Sequence, residues 1–260
     1  MVIPDTQVKP DVDLSFLSWI GQYAVDKKPD KIIMIGDFAD MHSLSSYDQG
    51  KKSFEGRRYK DDIAAVHRGL ELLFTPMWEY NIKAKKNHEP RYKPKLYLTL
   101  GNHEDRITRA VESDAKLDGT IGLSDLGYES FGFTVYPYLE VVVLDGIAYS
   151  HFFTSGVAGR AVPNARQLIM KKHMSSTMGH NQNWDIHREV RADGKPILGL
   201  FAGACYLHEE EYLGPQGNTY DRGIWMKHEV DDGVYHPMYV SLNFLKDKYG
   251  TKSASSEKIV

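Results

Sequence analysis

The run Lys31-Ile32-Ile33-Met34-Ile35 constrains this chain more than any other segment. It is apolar without alternation, which predicts a strand buried on both faces, and it stops at once at Gly36-Asp37. A second such run, Leu96 to Leu100, stops at Gly101-Asn102, and a truncated one, Val2-Ile3, stops at Pro4-Asp5. Helical patterns lie between them. Leu14 to Val25 places Leu14, Leu17, Ile20 and Ala24 on one face, and Lys60 to Ala84 does so with Ile63, Val66, Leu70, Leu73 and Met77, with a kink expected at Pro76. Strand, helix, strand, helix, strand predicts βαβ units and a parallel sheet.

The second half changes character. Leu139 to Leu144 and Ile147 to Phe152 flank Asp145-Gly146, a strong hairpin signal. After a helix at about Asn164 to Lys172, strand-like segments border the turns Gly179-His180, Asp193-Gly194 and Asp232-Gly233. A parallel half followed by hairpins predicts an α/β fold with two packed mixed β-sheets flanked by helices. With 260 residues and 42% hydrophobic content, one large domain over residues 1–245 is expected, followed by a polar, disordered tail over 246–260. A net charge of −3 leaves any preference for a polyanion to local patches. The single Cys205 excludes an internal disulfide framework. No signal peptide is visible and no apolar run reaches the ~20 residues of a membrane span, so a cytoplasmic protein with no membrane partner is expected.

Three strands thus end in sharply turning, metal-competent sequences: Pro4-Asp5-Thr6-Gln7, Gly36-Asp37-Phe38-Ala39-Asp40 and Gly101-Asn102-His103-Glu104-Asp105. In a parallel sheet the carboxyl ends lie on one edge, where ligands bind. Two carboxylates and an amide there offer hard oxygen ligands for Mg²⁺ or Mn²⁺. Ser150-His151 and Gly179-His180-Asn181-Gln182 add imidazoles and a further amide, and oxygen with imidazole suits Mn, Fe or Zn. Each piece alone is weak; the ordered set is not.

Gly36-Asp37-x-x-Asp40, Gly101-Asn102-His103-Glu104, His151 and Gly179-His180 resemble the signature of calcineurin-like metallophosphoesterases, over positions 5 to 182. The resemblance implies a four-layer αββα sandwich and two divalent ions, with Mn expected and Mg, Fe or Zn as alternatives. Asp5, Gln7 and Asp37 would hold the first ion; Asp37, Asn102, His151 and His180 the second. Such a pair activates water and clamps phosphoryl oxygens. His103 matches the family's catalytic histidine and Asp40 the carboxylate that orients it.

Most relatives carry Asp-x-His at the first motif and many nucleases Gly-His-x-His at the last. Here Gln7 and Gln182 stand at those positions, both on the first ion, so two unequal metal sites are expected. Where phosphoprotein phosphatases of this superfamily carry phosphate-gripping arginines, this chain has Met41 and Leu100; Arg106 and Arg109 are candidate replacements for substrate binding, and His42 is a third. Lys51, Lys52, Arg57, Arg58 and Lys60, interleaved with Tyr47, Phe54 and Tyr59, suit a single strand or a nucleotide. Glu209-Glu210-Glu211 would repel a long polyanion, and His208 and His236 are further cleft candidates. The resulting expectation is a phosphodiesterase acting on nucleic acid or a nucleotide, similar to small phage-encoded members, with the host cytoplasm as its setting in that case. A phosphomonoesterase or protein phosphatase, and a weakly active metal-binding module, are the alternatives. The sequence leaves the oligomeric state open.

Overall fold

The computed structural model describes residues 1–48, 50–210 and 218–250. In chain order the first half contains β1 (Val2–Ile3), α1 (Ser15–Lys27), β2 (Lys31–Met34), α2 (Tyr59–Lys86), β3 (Lys95–Thr99), α3 (Asp105–Ser113) and β4 (Phe133–Tyr136). The second half contains β5 (Val142–Leu144), β6 (Ile147–Tyr149), β7 (Thr154–Ser155), β8 (Arg160–Ala161), α4 (Ala165–Lys172) and β9 (Ser176–Met178). It closes with β10 (Asp185–Val190), β11 (Pro196–Phe201), β12 (Gly223–Asp231), β13 (Val234–Ser241) and α5 (Leu242–Tyr249).

Two mixed sheets result. A six-stranded sheet has the order β13-β12-β1-β2-β3-β4, in which β1 to β4 are mutually parallel and β12 joins β1 antiparallel. A five-stranded sheet has the order β10-β11-β9-β6-β5, with β6, β9 and β11 parallel and an antiparallel strand at each edge. β7 and β8 form a separate small ribbon.

The unbroken apolar runs explain the layering. Successive side chains of a strand point to opposite faces, so a strand with both faces covered must be apolar at every position. In β2 and the residue after it, Ile32 and Met34 pack with Phe16, Leu17, Ile20, Leu70 and Leu73 of α1 and α2, while Ile33 and Ile35 pack with Ile147, Tyr149, Leu198 and Leu200 of the second sheet. The far face of that second sheet, through Ala148, Met178 and Phe201, is covered by Ala165 and Leu168 of α4. The order of layers is helices, sheet, sheet, helix.

The Asp145-Gly146 turn joins β5 to β6 with both residues at positive φ (51° and 76°), the conformation a two-residue hairpin demands. Asp232-Gly233 does the same between β12 and β13 (43° and 87°). α2 runs from Tyr59 to Lys86 with Pro76 inside it. One feature differs from the sequence expectation. Lys246 to Tyr249 belong to α5 rather than to a tail, because Leu242 and Leu245 bury against the first core and Ser241 caps the helix by accepting from Phe244 N; residues 251–260 lie outside the described residues. Among the described residues no helix is long and apolar enough to cross a membrane.

Candidate metal centre

β1, β2 and β3 deliver Asp5, Asp37 and Asn102 to one edge of the first sheet, and β6 and β9 deliver His151 and His180 from the second. The two sets meet. Asn102 Oδ1 lies 2.9 Å from both His151 Nε2 and His180 Nδ1, and Asp37 Oδ2 lies 3.4 Å from His151 Nε2. Asp5 closes the other side, its Oδ1 accepting from the His180 backbone N–H at 3.2 Å. Asp5, Asp37 and His151 are buried.

Local backbone makes this approach possible. Gly36 has φ +89°, and a Cβ there would fall 2.6 Å from His151 Nδ1. A Cβ on Gly101 would fall 2.1 Å from Asp37 Oδ1, so this glycine serves close approach and not only the turn. Gln7, Asp37, Met41 and His180 all adopt positive φ (42°, 49°, 50° and 67°), a conformation uncommon for residues with a side chain. Such strain persists only where surrounding structure imposes it. Here the surrounding structure is visible: the Asp37 carbonyl accepts from Thr6 N and Gln7 N at 3.1 and 2.9 Å, and Val8 N bonds the Phe38 carbonyl at 2.7 Å.

Electrostatics divide the carboxylates. Burial, aided by Asp37 and opposed by His151, pushes Asp5 up to about 7. Burial also acts against the Asp37 carboxylate, but His103 and His151 outweigh it and hold Asp37 well below the usual range. His151 is desolvated too, yet Asp37 and Asp5 raise it to about 10. Burial and the neighbouring His151 lower His180 to about 4.

The donor set fits a cation. His151 Nδ1 is 2.9 Å from the Ile35 carbonyl, where it must donate. Nε2 therefore faces two oxygens, Asp37 Oδ2 and Asn102 Oδ1, as a donor when the ring is protonated and with its lone pair when the ring is neutral. Three converging acceptors repel one another unless a proton or a metal lies between them. A backbone carbonyl that fixes the tautomer of a histidine is also the usual support for a metal-ligating imidazole. Asp37, His151 and His180 hold their ligand atoms within 4.8 Å of one another. With the Asn102 oxygen they form a mixed oxygen and imidazole set suited to Mn, Fe or Zn.

His103 and Asp40 stand beside this cluster. His103 Nδ1 lies 2.9 Å from Asp40 Oδ1, and its Nε2 lies 3.7 Å from Asp37 Oδ2. Burial opposes the charge on His103, but Asp37 and Asp40 together keep its pKa above the ordinary value. Arg106 reaches the pair: Nη1 donates to the Asp40 carbonyl at 2.8 Å, and Nη2 is 3.2 Å from His103 Nε2. Arg109 donates to the Asn102 carbonyl at 3.0 Å and pairs with Asp105 at 3.3 Å. His42 Nδ1 turns to the buried Asp62 of α2, 3.1 Å away.

Gln7 is buried, its backbone tied to Asp37. Gln182 bridges: Nε2 donates to Asp5 Oδ2 at 3.3 Å, and Oε1 accepts from Tyr206 OH at 2.8 Å. In this arrangement the Gln182 oxygen is engaged by Tyr206, and the amide holds Asp5 in place. The basic loop is partly neutralised from within, since Asp48 pairs with Lys51 and Arg57 at 3.0 and 2.9 Å. Tyr59 OH bonds Asp125 at 2.8 Å, while Tyr47 is exposed. His236 is exposed on β13 near Glu229; Glu211 lies outside the described residues.

Sequence reasoning gave no role to two further groups. Glu104, fully buried, accepts from the N–H groups of Asp37, Ala39 and Gly101 at 3.0, 2.9 and 2.8 Å and from Tyr128 OH at 3.1 Å. It clamps the turn after β2 to the turn after β3. Lys9 bridges Asp40 Oδ2 at 3.2 Å and Glu210 Oε1 at 2.8 Å, and Glu210 also bonds His208 at 2.8 Å. Glu104 was signalled by its place in Gly101-Asn102-His103-Glu104; nothing in the sequence signalled Lys9. The sequence matches no protein-family model and no curated protein.

Proposed function

We propose that this protein is a metal-dependent phosphoesterase of the calcineurin-like type, built on that superfamily's four-layer sandwich and directed at phosphodiesters of nucleic acid or nucleotides. The observation that carries this reading is the convergence, on one edge, of the Asp37, Asn102, His151 and His180 ligand atoms with the His103–Asp40 pair. Asp37, Asn102, His151 and His180 would hold one divalent ion, and Asp5, Gln7 and Asp37 a second. Bound there, the ions would supply a more acidic water and charge compensation for phosphoryl oxygens.

The residues do the rest. Asp40, bonded at Nδ1, orients the His103 ring and stabilises its charged form, leaving Nε2 as the nitrogen that can give a proton to the departing oxygen. Arg106 cannot compete for that proton, because its guanidinium is always charged. Protonated Nε2 and Arg106 Nη2 are both donors 3.2 Å apart, so an anionic oxygen accepting from both relieves their repulsion. That is a reason for a phosphoryl group to settle there.

Protein supplied with Mn²⁺ is expected to turn over bis-p-nitrophenyl phosphate, and His103→Ala to lower that rate about 10²- to 10⁴-fold while metal binding is kept. Turnover of p-nitrophenyl phosphate alone would favour a monoesterase. Silence with Mn, Mg, Fe and Zn would sink the reading.

A further inference from the structure

A cavity of about 550 Å³ opens beside the Asn102 turn, lined by Leu100 and Asp105 on either side of that turn and by Leu123, Tyr128, Glu129 and Tyr138. Its volume is that of a small-molecule site. One of its lining residues, Tyr138, reaches the candidate metal cluster. The Tyr138 ring lies 6.4 Å from the His151 ring and packs edge-on against Phe152 at 5.9 Å, and Phe152 in turn lies 4.8 Å from the His180 ring. Among the described residues no lysine or arginine lines the cavity, and the charged groups in its lining are the carboxylates of Asp105 and Glu129. Arg109 pairs with Asp105 from outside the lining.

We infer that this cavity receives the organic group of the phosphate ester, and that this group is an amine-bearing nucleoside. The assignment as an ester's organic group rests on the phosphoesterase reading above. Two carboxylates with no cation among the described lining residues disfavour a second phosphate, so the group inside is not anionic. An apolar wall with the half-buried Tyr138 ring favours a flat group over a flexible polar one. Carboxylates only accept hydrogen bonds, so they select a base that offers N–H donors on its edge. Cytosine, adenine and guanine have exocyclic amines; uracil and thymine place carbonyl oxygens there, which carboxylates repel.

The test has two readouts on the full chain. Ligand-observed NMR with free cytidine and uridine, without metal, reports on the cavity alone. Cytidine is expected to bind and uridine to bind at least about tenfold more weakly, with Glu129→Gln narrowing the difference. Turnover with Mn²⁺ of the 2′,3′-cyclic phosphates of both nucleosides, and of bis-p-nitrophenyl phosphate, reports on the link to the site. Cytidine ester is expected to be preferred about tenfold, and Leu123→Trp, which fills the cavity, to lower the ratio of cytidine-ester to bis-p-nitrophenyl phosphate turnover by a similar factor. Diester turnover with no nucleoside binding and no base preference overturns the inference and leaves the phosphoesterase reading standing. Nucleoside binding with no turnover of any ester overturns the phosphoesterase reading and, with it, the assignment of the nucleoside as substrate.

Discussion

Gly101 and Glu104 are small parts of the edge with large consequences for Asp37. Because a Cβ on Gly101 would sit 2.1 Å from Asp37 Oδ1 and 2.3 Å from Asp37 N, Gly101→Ala must push Asp37, backbone and carboxylate, out of line. Calorimetric titration with Mn²⁺ should show affinity reduced about 10- to 100-fold, with the far-ultraviolet spectrum unchanged. Glu104→Ala orphans the buried N–H groups of Asp37, Ala39 and Gly101. Urea unfolding should register a loss of about 3 kcal/mol or more, since each buried unsatisfied donor costs about 1–3 kcal/mol. The residues that converge were legible in the sequence because each ends a strand, and a strand end is a one-dimensional signal. Lys9 was not, because its meaning lies in Glu210, 201 positions away, and no local pattern encodes that pairing. Gln182 was legible as a position but not as a hydrogen-bond partner, since which end of an amide faces Asp5 depends on Tyr206.

At the scale of elements, α1 and α2 meet so closely that Gly21 of α1 has the Leu73 carbonyl of α2 only 2.2 Å from where a Cβ would stand, with Pro76 Cγ at 3.1 Å. Gly21→Ala should therefore force the helices apart at a cost of about 1–3 kcal/mol, read as a lower urea midpoint. Helices and hairpins carrying strong periodicity or Asp-Gly turns were legible. The stretch between α3 and β4 was not. It consists of three short 3₁₀ turns, Ala115–Leu117, Leu123–Leu126 and Tyr128–Phe131, too brief for a period to register, with Gly127 and Gly132 ending the latter two at positive φ. Part of the cavity wall comes from this stretch, which is why the cavity had no sequence signature. α5 escaped for a different reason: its buried face consists of Leu242 and Leu245, and its last turn is polar.

The whole molecule contains a lysine that its surroundings discourage from carrying charge. Lys227 of β12 lies between the sheets, donating to Tyr149 OH at 3.1 Å and Thr177 Oγ1 at 2.6 Å, with the Tyr149 and Tyr235 rings each 4.4 Å from Nζ. Burial pushes its pKa well below the ordinary lysine value. Between the depressed folded value and about 10.4, the unfolded chain binds the proton and the folded chain does not, so stability rises with pH across that window. Thermal melts from neutral pH toward pH ~10 should show this rise, and Lys227→Met should flatten it and raise the neutral-pH melting temperature. A rise of equal slope in the variant would assign the effect to other groups. Metal addition is a second whole-molecule lever: a ligand that binds only the folded chain raises its melting temperature. On the proposed reading two titration phases of unequal affinity are expected, because Asn102, His151 and His180 would serve one ion while Gln7 would supply the other with a neutral amide. Two equally tight phases would contradict this.

The candidate ligands are divided between the sheets: Asp5, Asp37 and Asn102 come from one, His151 and His180 from the other. Metal affinity, on the proposed reading, would thus be a gauge of sheet-to-sheet registration. A chain with its strands and helices formed but its two sheets not yet docked would have ligands and no site, so metal uptake should mark the last step of folding. Conservative changes deep in the interface, at Val2, Ile33 or Leu200, should look in an assay like defects of the active edge, although none of these side chains reaches it.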